Sequence, residues 1–357
     1  MNFLLLEMTF LRYFMPLILE GNKRGIKSRV FMKRNEKYNN PYSFKDSLNN
    51  LAAKNKFELF DIDMFGNFDG HTFMIEGRGH ERIDKTKHKG YSITYMTDFS
   101  GPGYDKYVDK IDKVIFPSEH MAGHYDKKGP KNLYLGSPKY DIKLNEEDIL
   151  KKYNIPDLNN VLVLIPRTRE MISMGDGHYS GVTGQKLLGW LGLTAKSLGL
   201  RTLYKTRAKD RWFDLYNCKE TKTPSKWEKV CPHMYFEDDS WHPHTTMELI
   251  KVSKLVINFS STAIKECVML DTPIINFDIK PQIRWGRDMG KHRLKLDFLY
   301  ENDFCYNAKV NMSEQEYKDA FNKMMSSDWS SSFSDARKKY LFEGDSSKRI
   351  LDYLEIA

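Results

Sequence analysis

Short apolar runs alternate along the chain with amphipathic stretches, and this alternation predicts strands and helices in turn. The first 35 residues show the unit once, as apolar residues 3–7, an amphipathic stretch ending near Gly25, and apolar residues 28–32. Gly25 directly follows basic residues, which is a common way for a helix to end. A strand, a helix and a second strand in this order are how an open α/β sheet begins.

The next part of the chain repeats this pattern, with helical or turn-rich stretches between apolar runs. The further strand candidates are 57–62, 72–77, 92–97, 113–117 and 132–138. A Pro- and Asn-rich segment follows, in which Asn145 is predicted to cap a short helix whose first turn is acidic. Residues 161–166 then form a nearly continuous apolar run, of the kind that is buried in a parallel sheet.

A second alternation starts at that apolar run and predicts a second domain. Its other strand candidates are 201–206, 233–238, 254–259 and 273–278. Near the end, Ser313 and Glu316 have the spacing of a capping box, and residues 346–356 contain a last amphipathic helix. We therefore predict an α/β protein with domains 1–140 and 141–330, followed by C-terminal helices, 331–357, that pack back on the first domain.

The composition provides enough apolar residues for two hydrophobic cores, and the net charge indicates which kinds of binding partner to expect. The chain has 357 residues, of which 40% are hydrophobic, and its 56 basic and 48 acidic residues leave a net charge of +8. This charge favours anionic partners such as nucleotide phosphates, but it is diffuse and no nucleic-acid motif accompanies it, so we do not expect nucleic acid as a partner. No CxxC pair occurs, so the cysteines are expected to be reduced core residues: Cys218, Cys231, Cys267 and Cys305.

The first 25 residues are apolar enough to suggest a signal peptide or a membrane helix. Charged residues interrupt the run at Glu7, Arg12 and Glu20, and no small-residue cleavage site follows. We therefore expect this segment to be part of the fold and the protein to be cytoplasmic. Peripheral contact with a membrane and the oligomeric state stay open.

Three adjacent hydroxyl side chains separate the strand candidate 254–259 from a predicted helix, 262–270: they are Ser260, Ser261 and Thr262. At such a position, free backbone N–H groups and the positive end of a helix dipole can receive a phosphate. Glu266, one turn into the helix, could accept hydrogen bonds from a ribose diol. The alternative is that the hydroxyl groups only cap the helix and that Glu266 is solvated.

This part of the chain, residues 245–278, resembles the nucleotide-binding segment of GT-B-fold enzymes. Those include nucleotide-sugar glycosyltransferases, hydrolysing UDP-N-acetylglucosamine 2-epimerases and CDP-glycerol glycerophosphotransferases. The shared order is a strand, a Ser/Gly-rich turn, a helix carrying Glu, and a strand with Pro, two apolar residues and Asn. Residues 132–141 and 161–170 are similar to the segment that leaves the first domain of those enzymes and to the first strand of the second domain.

The resemblance implies a GT-B-like fold, with two Rossmann-like domains and the cleft between them. It also implies that Ser260, Ser261 and Thr262 hold the donor diphosphate and that Glu266 holds the ribose. The donor would be a UDP-, GDP- or CDP-linked sugar, and no separate cofactor is expected.

Basic residues follow two strands of the predicted second domain. Arg167 and Arg169 come directly after 161–166, where α/β sheets bind ligands, and guanidinium groups suit a pyrophosphate; their alternative is an ordinary surface pair. Lys205 and Arg207 follow the next strand, where glycerophosphotransferases have a Lys-x-His-Pro-like element. The His and Pro are absent here, so the resemblance implies only that Lys205 and Arg207 contact a phosphate.

A transferase also needs a general base for the acceptor hydroxyl, expected from the first domain. The candidates at predicted strand ends are Asp98, Glu76, His80, Glu119 and His120. Asp98 ranks first because a Gly/Pro loop follows it and would let an acceptor approach, although each candidate has a structural alternative. Residues 238–246 hold two His near two Asp without a helical zinc spacing, so no metal is expected, and Trp241 is expected near the nucleotide base.

The sequence therefore favours a glycosyltransferase that passes a sugar from a nucleotide-diphosphate donor to a glycan or glycolipid, in surface polysaccharide synthesis. A hydrolysing 2-epimerase should show an acidic segment of the form HVEAGLR, which is missing. A glycerophosphotransferase should show a His-Gly-small-Pro element, which is also missing. A non-catalytic protein that binds sugar nucleotides is a further alternative.

Overall fold

The computed structural model describes residues 1–33, 41–94, 104–124, 129–164, 184–205, 230–236, 241–259, 261–277, 297–341 and 344–356. The chain divides into two compact units. Unit 1 comprises Met1–Lys143 and Arg337–Ala357, and unit 2 comprises Leu144–Ala336. Unit 1 is therefore built from two separate stretches of chain, and unit 2 is inserted between them.

Unit 1 is organised around a parallel sheet of seven strands in the order β3-β2-β1-β4-β5-β6-β7. The strands are β1 (Asn2–Leu5), β2 (Ser28–Met32), β3 (Phe57–Asp61), β4 (Gly70–Ile75), β5 (His88–Ile93), β6 (Lys113–Phe116) and β7 (Asn132–Tyr134). Each one overlaps a strand candidate of the sequence. The apolar start of the chain is thus β1 and lies inside the sheet.

Unit 2 is organised around a parallel sheet of six strands in the order β10-β9-β8-β11-β12-β13. The strands are β8 (Asn160–Leu164), β9 (Arg201–Lys205), β10 (His233–Phe236), β11 (Leu255–Asn258), β12 (Ile274–Phe277) and β13 (Cys305–Ala308). All five residues of β8 are buried. Its unbroken apolar run is explained by this position, since inner strands of a parallel sheet are covered on both faces.

Helices lie between the strands along the chain, and the last three follow β13. In chain order they are α1 (Leu11–Lys23), α2 (Lys45–Asn55), α3 (Tyr104–Tyr107), α4 (Glu119–His124), α5 (Glu146–Tyr153), α6 (Gly184–Ser197), α7 (Thr245–Lys251), α8 (Ile264–Met269), α9 (Asp297–Tyr300), α10 (Glu314–Ser326), α11 (Ser330–Ala336) and α12 (Ser346–Tyr353). Short 3-10 turns span Met8–Phe10, Pro41–Phe44, Ile62–Asn67, His80–Arg82, Val108–Lys110 and Pro138–Tyr140, and a π turn spans Arg337–Leu341. Within the described ranges, no helix has the length and apolar content needed to cross a bilayer.

The predicted helix ends are present where the sequence placed them. The Asn145 side chain accepts a hydrogen bond from the backbone N–H of Asp148 at the start of α5. Ser313 and Glu316 form the reciprocal capping box of α10. Gly25 lies two residues after α1 with φ of 73°, a backbone conformation that a glycine adopts without strain.

The described cysteines are core residues. Cys231, Cys267 and Cys305 are free thiols, and all three are buried. Burial raises the pKa of Cys305 to about 12 and raises that of Cys267 well above its usual range. The prediction of reduced core cysteines is thus confirmed for these three, whereas Cys218 lies outside the described residues.

Asp141 ties the two stretches of unit 1 together. Its carboxylate accepts hydrogen bonds from the backbone N–H of Ser346, at 2.9 Å, and from that of Ser347, both in the first turn of α12. Arg349 of the same helix donates to the backbone oxygen of Leu135 at 3.2 and 3.3 Å. Burial raises the pKa of Asp141 above its ordinary value, although the hydrogen bonds to Ser347 and Ser346 oppose this shift.

Both sheets have a point where the strand order reverses. In unit 1 the chain runs outward from β1 to β3 and then resumes with β4 on the other side of β1. In unit 2 it runs outward from β8 to β10 and resumes with β11 on the other side of β8. Ligands of open α/β sheets bind beyond the carboxyl ends of the strands at such a switch point, so topology favours the segments that follow β1, β4, β8 and β11 in the sequence.

Candidate functional site

The hydroxyl cluster follows β11, which is one of the two strands at the switch point of unit 2. Ser261 and Thr262 are half-buried and lie between the end of β11 and the start of α8. Arg167 and Arg169 follow β8, the other strand of the switch point, in the sequence. Those two residues and Ser260 lie outside the described residues.

The helix after this loop is shorter than predicted. The sequence pattern indicated a helix over 262–270, whereas α8 spans Ile264–Met269. The Ser261 hydroxyl accepts a hydrogen bond from the backbone N–H of Ala263 at 3.3 Å, which satisfies the loop locally before the helix starts. Because α8 has only six residues, its dipole adds little, and the anion-binding capacity of this place depends on individual N–H and O–H groups.

The Ser261 carbonyl oxygen points toward the interior of unit 2. It accepts hydrogen bonds from the Tyr300 hydroxyl at 2.7 Å and from Asn258 Nδ2 at 3.3 Å. The backbone N–H of Ile264 also reaches it, at 3.3 Å. In the described part of the chain, the next N–H group, that of Thr262, donates to no acceptor.

Three asparagines form a ladder beneath this loop, at the carboxyl ends of neighbouring strands. Asn258 of β11 pairs in register with Asn276 of β12, which pairs with Asn307 of β13. Asn258 Nδ2 lies 3.3 Å from Asn276 Oδ1, and Asn276 Nδ2 lies 3.2 Å from Asn307 Oδ1. Asn307 Nδ2 in turn donates to the backbone oxygen of Tyr300 at 2.8 Å, which anchors the residue that holds the Ser261 carbonyl.

Glu266 is buried, with 5% of its surface exposed, so the alternative in which it is solvated does not hold. Its Oε1 atom lies 3.9 Å from Nε2 of His244, the residue that precedes α7. His244 is fully buried. A buried carboxylate at the edge of a half-exposed loop is suited to accept hydrogen bonds from a ligand, because few water molecules compete for it.

Lys205 and Trp241 are also buried. Lys205 ends β9, in register with Leu164 at the end of β8, and exposes 6% of its surface. Its backbone therefore lies at the same edge of the sheet as the β11 loop, with β8 between them. Trp241, expected beside a nucleotide base, also exposes only 6%. Arg207 lies outside the described residues.

In unit 1, Glu76 and His80 both fall in the loop after β4, one of the two strands at its switch point. Glu76 is 5% exposed and has φ of 50°, which is uncommon for a residue other than glycine. The loop is joined to the end of β1 by an ion pair between Arg78 and Glu7, and Arg78 also lies over the Phe10 ring at 5.4 Å. Non-glycine residues with positive φ are enriched at functional sites.

Tyr107 packs directly against this loop. Its ring lies so close to Gly77 that a Cβ atom there would be 2.2 Å from it. Burial raises the pKa of the Tyr107 hydroxyl, and the nearby Glu76 carboxylate raises it further. The Gly77 N–H donates to Ser92 Oγ at 2.8 Å, which fixes the loop on β5 as well.

His80 has one ring nitrogen engaged. Its Nδ1 lies 2.8 Å from the Gly77 carbonyl oxygen, which can only accept, so neutral His80 carries its proton on Nδ1 and a lone pair on Nε2. Glu119, by contrast, is exposed and begins α4 after β6, away from the switch point. Asp98 lies outside the described residues.

The residues that sequence reasoning did not single out are Asn258, Tyr300, Asn307 and His244. Asn258 and Asn307 could have been found from a repeated sequence feature. The β11, β12 and β13 segments, "LVIN", "IINF" and "CYNA", each carry an asparagine at the strand end or one residue before it. No group of three or more His, Cys, Asp or Glu side chains with the arrangement of a metal site occurs among the described residues.

Comparison with known proteins gives matches to solved structures only. No family model matches the chain, and no curated protein matches it. The wall teichoic acid polymerase TagF, solved after a soak with CDPG, aligns with a TM-score of 0.58 at 12% identity, over 99% of this chain and 88% of that one.

Two further structures match over nearly their full length. The UDP-GlcNAc 2-epimerase of Methanocaldococcus jannaschii, in complex with UDP-GlcNAc and UDP, has a TM-score of 0.56 at 11% identity and covers 100% of both chains. A glycosyltransferase from Rickettsia africae has a TM-score of 0.51 at 13% identity, over 99% of this chain and 98% of that one. The predicted resemblance to GT-B-fold enzymes and the α/β fold with two Rossmann-like units are thereby confirmed.

Proposed function

We propose that this protein is a glycosyltransferase that moves a sugar from a nucleotide-diphosphate donor to a hydroxyl group of a glycan or glycolipid. The observation that carries the proposal is the Ser261–Thr262 loop at the switch point of unit 2. Both residues are half-exposed, the Thr262 N–H donates to no acceptor among the described residues, and the helix that follows carries buried Glu266. The fold shared with a solved glycosyltransferase supports it.

In this proposal Ser261 and Thr262 bind the donor diphosphate through N–H and O–H groups, and Glu266 accepts hydrogen bonds from the ribose. Ser260, Arg167, Arg169 and Arg207 are assigned to the same diphosphate from the sequence alone. Lys205 would contribute positive charge from β9. Fixed donors of this kind hold an anion without needing to reorganise, which favours the charge that develops on a leaving group.

The proposed reaction displaces a nucleoside diphosphate. The acceptor hydroxyl oxygen forms a bond to the anomeric carbon of the donor sugar, and the bond from that carbon to the diphosphate oxygen breaks. The acceptor proton passes to a general base, and the N–H groups and basic side chains stabilise the departing diphosphate. These groups supply the charge that a metal ion supplies elsewhere, so the proposal includes activity in the presence of a chelator.

Two described residues, Glu76 and His80, are candidates for the base. His80 has the clearer chemistry, since its Nδ1 is engaged by the Gly77 carbonyl and its Nε2 lone pair is left to accept a proton. Asp98 remains the preferred candidate from the sequence. Replacing each residue in turn, and measuring transfer and donor binding separately, distinguishes a base from a donor ligand.

The test is a calorimetric binding panel of UDP, GDP, CDP, TDP, ADP and CMP, followed by an assay with sugar-linked forms of the nucleotide that binds. Release of nucleoside diphosphate that depends on an added glycan or glycolipid acceptor would support a glycosyltransferase. Release of UDP from UDP-GlcNAc without an acceptor would favour a hydrolysing 2-epimerase instead. Absence of binding by folded protein would reject the site.

A further inference from the structure

We propose that Tyr300 is a positioning residue of the phosphate site, because its hydroxyl fixes the orientation of the Ser261–Thr262 peptide so that the Thr262 N–H is presented to the ligand. The inference rests on the proposed function, since it assigns the ligand of that N–H as a donor phosphate. In this proposal Tyr300 acts through the Ser261–Thr262 peptide and does not contact the ligand itself.

The orientation follows from the geometry of a trans peptide. The carbonyl of one residue and the N–H of the next point to opposite sides of the peptide plane. The Ser261 carbonyl is held inward by Tyr300 and Asn258, which are 8% and 0% exposed. The Thr262 N–H must therefore face away from these buried groups, on the side where Ser261 and Thr262 are half-exposed.

Among the described residues, Tyr300 is the nearest donor to the Ser261 carbonyl oxygen, at 2.7 Å, against 3.3 Å for Asn258 Nδ2 and 3.3 Å for the Ile264 N–H. Asn258 Nδ2 has three acceptors within reach, the Ser261 carbonyl, Asn276 Oδ1 and the Tyr300 hydroxyl oxygen, all at 3.2 to 3.3 Å. An amide group has only two N–H bonds, so it cannot satisfy all three. The Tyr300 hydroxyl donates to this carbonyl at 2.7 Å, an ideal O–H···O distance.

Tyr300 is in turn held by the sheet. Asn307 of β13 donates to the Tyr300 backbone oxygen, and Asn276 of β12 donates to Asn307 Oδ1. Since these asparagines pair in register across three neighbouring strands, the backbone of Tyr300 is tied to strands and not to a loop. A donor group placed by rigid elements keeps its geometry better than one placed by a loop.

The chain offers a matched control in Tyr317. Its hydroxyl donates to the Val310 carbonyl at 2.8 Å, in the same unit, and it is 1% exposed. Tyr300→Phe and Tyr317→Phe thus both remove one hydroxyl donor from a buried carbonyl. Only Tyr300→Phe removes a donor from a carbonyl next to the proposed phosphate site.

The experiment compares calorimetric affinities of the wild type and both variants for the best-binding nucleoside diphosphate and for the matching nucleoside. Tyr300→Phe should weaken diphosphate binding by about tenfold, the effect of losing roughly one oriented hydrogen bond, and leave nucleoside binding within about twofold. Tyr317→Phe should change neither, although both variants lose some thermal stability. A purely structural role for Tyr300 would move both ligands together or neither.

Two outcomes would overturn the inference separately from the proposed function. If the wild type binds the diphosphate and both variants bind it equally well, Tyr300 does not position the site and the proposed function stands. If the wild type binds no nucleoside diphosphate, the proposed function fails and this inference fails with it. Should Tyr300→Phe not fold, Asn307→Ala, which removes the Asn307 donor from the Tyr300 backbone oxygen, should give a smaller loss with the same preference for the diphosphate.

Discussion

His244 and Glu266 face each other inside unit 2, with Nε2 of the imidazole 3.9 Å from Oε1 of the carboxylate. Their side chains expose 0% and 7% of their surface. The two residues come from the start of α7 and from α8, and so the position of the carboxylate depends on how these helices pack. Removing this buried carboxylate should lower the affinity for any ligand that it binds.

We expect Glu266→Ala to weaken binding of the nucleotide by about 1–3 kcal/mol, through loss of charge-assisted hydrogen bonds to the ribose. Isothermal calorimetry measures this difference. Glu248→Ala is the control, because Glu248 is an equally buried carboxylate on α7 whose oxygens bond Lys152 and Tyr153 instead. Equal nucleotide affinity in folded Glu266→Ala and wild-type protein would remove the ribose role.

Glu248 should matter for stability in its own right. Its oxygens accept hydrogen bonds from Lys152 at 2.9 and 3.0 Å and from the Tyr153 hydroxyl at 2.6 Å, joining α7 to α5. Glu248→Gln should lower the free energy of unfolding by about 1–2 kcal/mol, and Lys152→Gln by less, because the Lys152 side chain is 40% exposed. Urea unfolding of both variants tests this ranking, and a larger loss in Lys152→Gln would contradict it.

The raised pKa of Asp141 makes the stability of the protein depend on pH. Burial holds its pKa above the ordinary value of 3.8, so the folded state binds this proton more tightly than the unfolded state does. The stability that it contributes is therefore fully present below the unfolded pKa and is lost as the pH rises through the folded pKa. Because Asn does not titrate, the stability of the wild type relative to Asp141→Asn should fall from about pH 3 toward neutral.

Chemical unfolding at a series of pH values measures that difference. Asp141→Ala should be less stable than Asp141→Asn at every pH, since it leaves the N–H groups of Ser346 and Ser347 without their acceptor. A wild-type advantage that grows with pH would contradict the assigned direction of the pKa shift.

Gly77→Ala should destabilise unit 1 more than a positive φ alone explains. Gly77 has φ of 65°, and an added Cβ would lie 2.2 Å from the Tyr107 ring. Gly25 is the matched control, because its φ is 73° and nothing lies within 4 Å of an added Cβ. Thermal or urea unfolding should show a loss of about 1–2 kcal/mol for Gly25→Ala and about 2–5 kcal/mol for Gly77→Ala. Similar losses would mean that Tyr107 moves aside.

The strands were predictable because the inner strands of a parallel sheet are buried on both faces, and residues such as 161–164 form a continuous apolar run. The exception is β13, Cys305–Ala308, in which a half-buried tyrosine and an exposed asparagine break the apolar pattern. The start of α8 was also mispredicted. Thr262 and Ala263 have suitable helix patterning, but Ser261 satisfies the Ala263 N–H through its own side chain and delays the helix.

The interior side of the candidate site could not be predicted from the chain alone. Tyr300 reaches Ser261 from 39 residues away, and Asn307 reaches Asn276 from 31 residues away. Such contacts require the order and register of β11, β12 and β13, which only the folded sheet defines. Ser261, Thr262 and Glu266, by contrast, lie close together in the sequence and could be recognised there.

The insertion of unit 2 between the two stretches of unit 1 has a consequence for biosynthesis. When residues 1–143 emerge from the ribosome, α12 does not yet exist, and Asp141 lacks the N–H groups that it accepts in the finished protein. The surface that later packs against buried Ile350 and Leu351 of α12 is then uncovered until unit 2 has been translated. The first unit to be started is therefore the last to be completed.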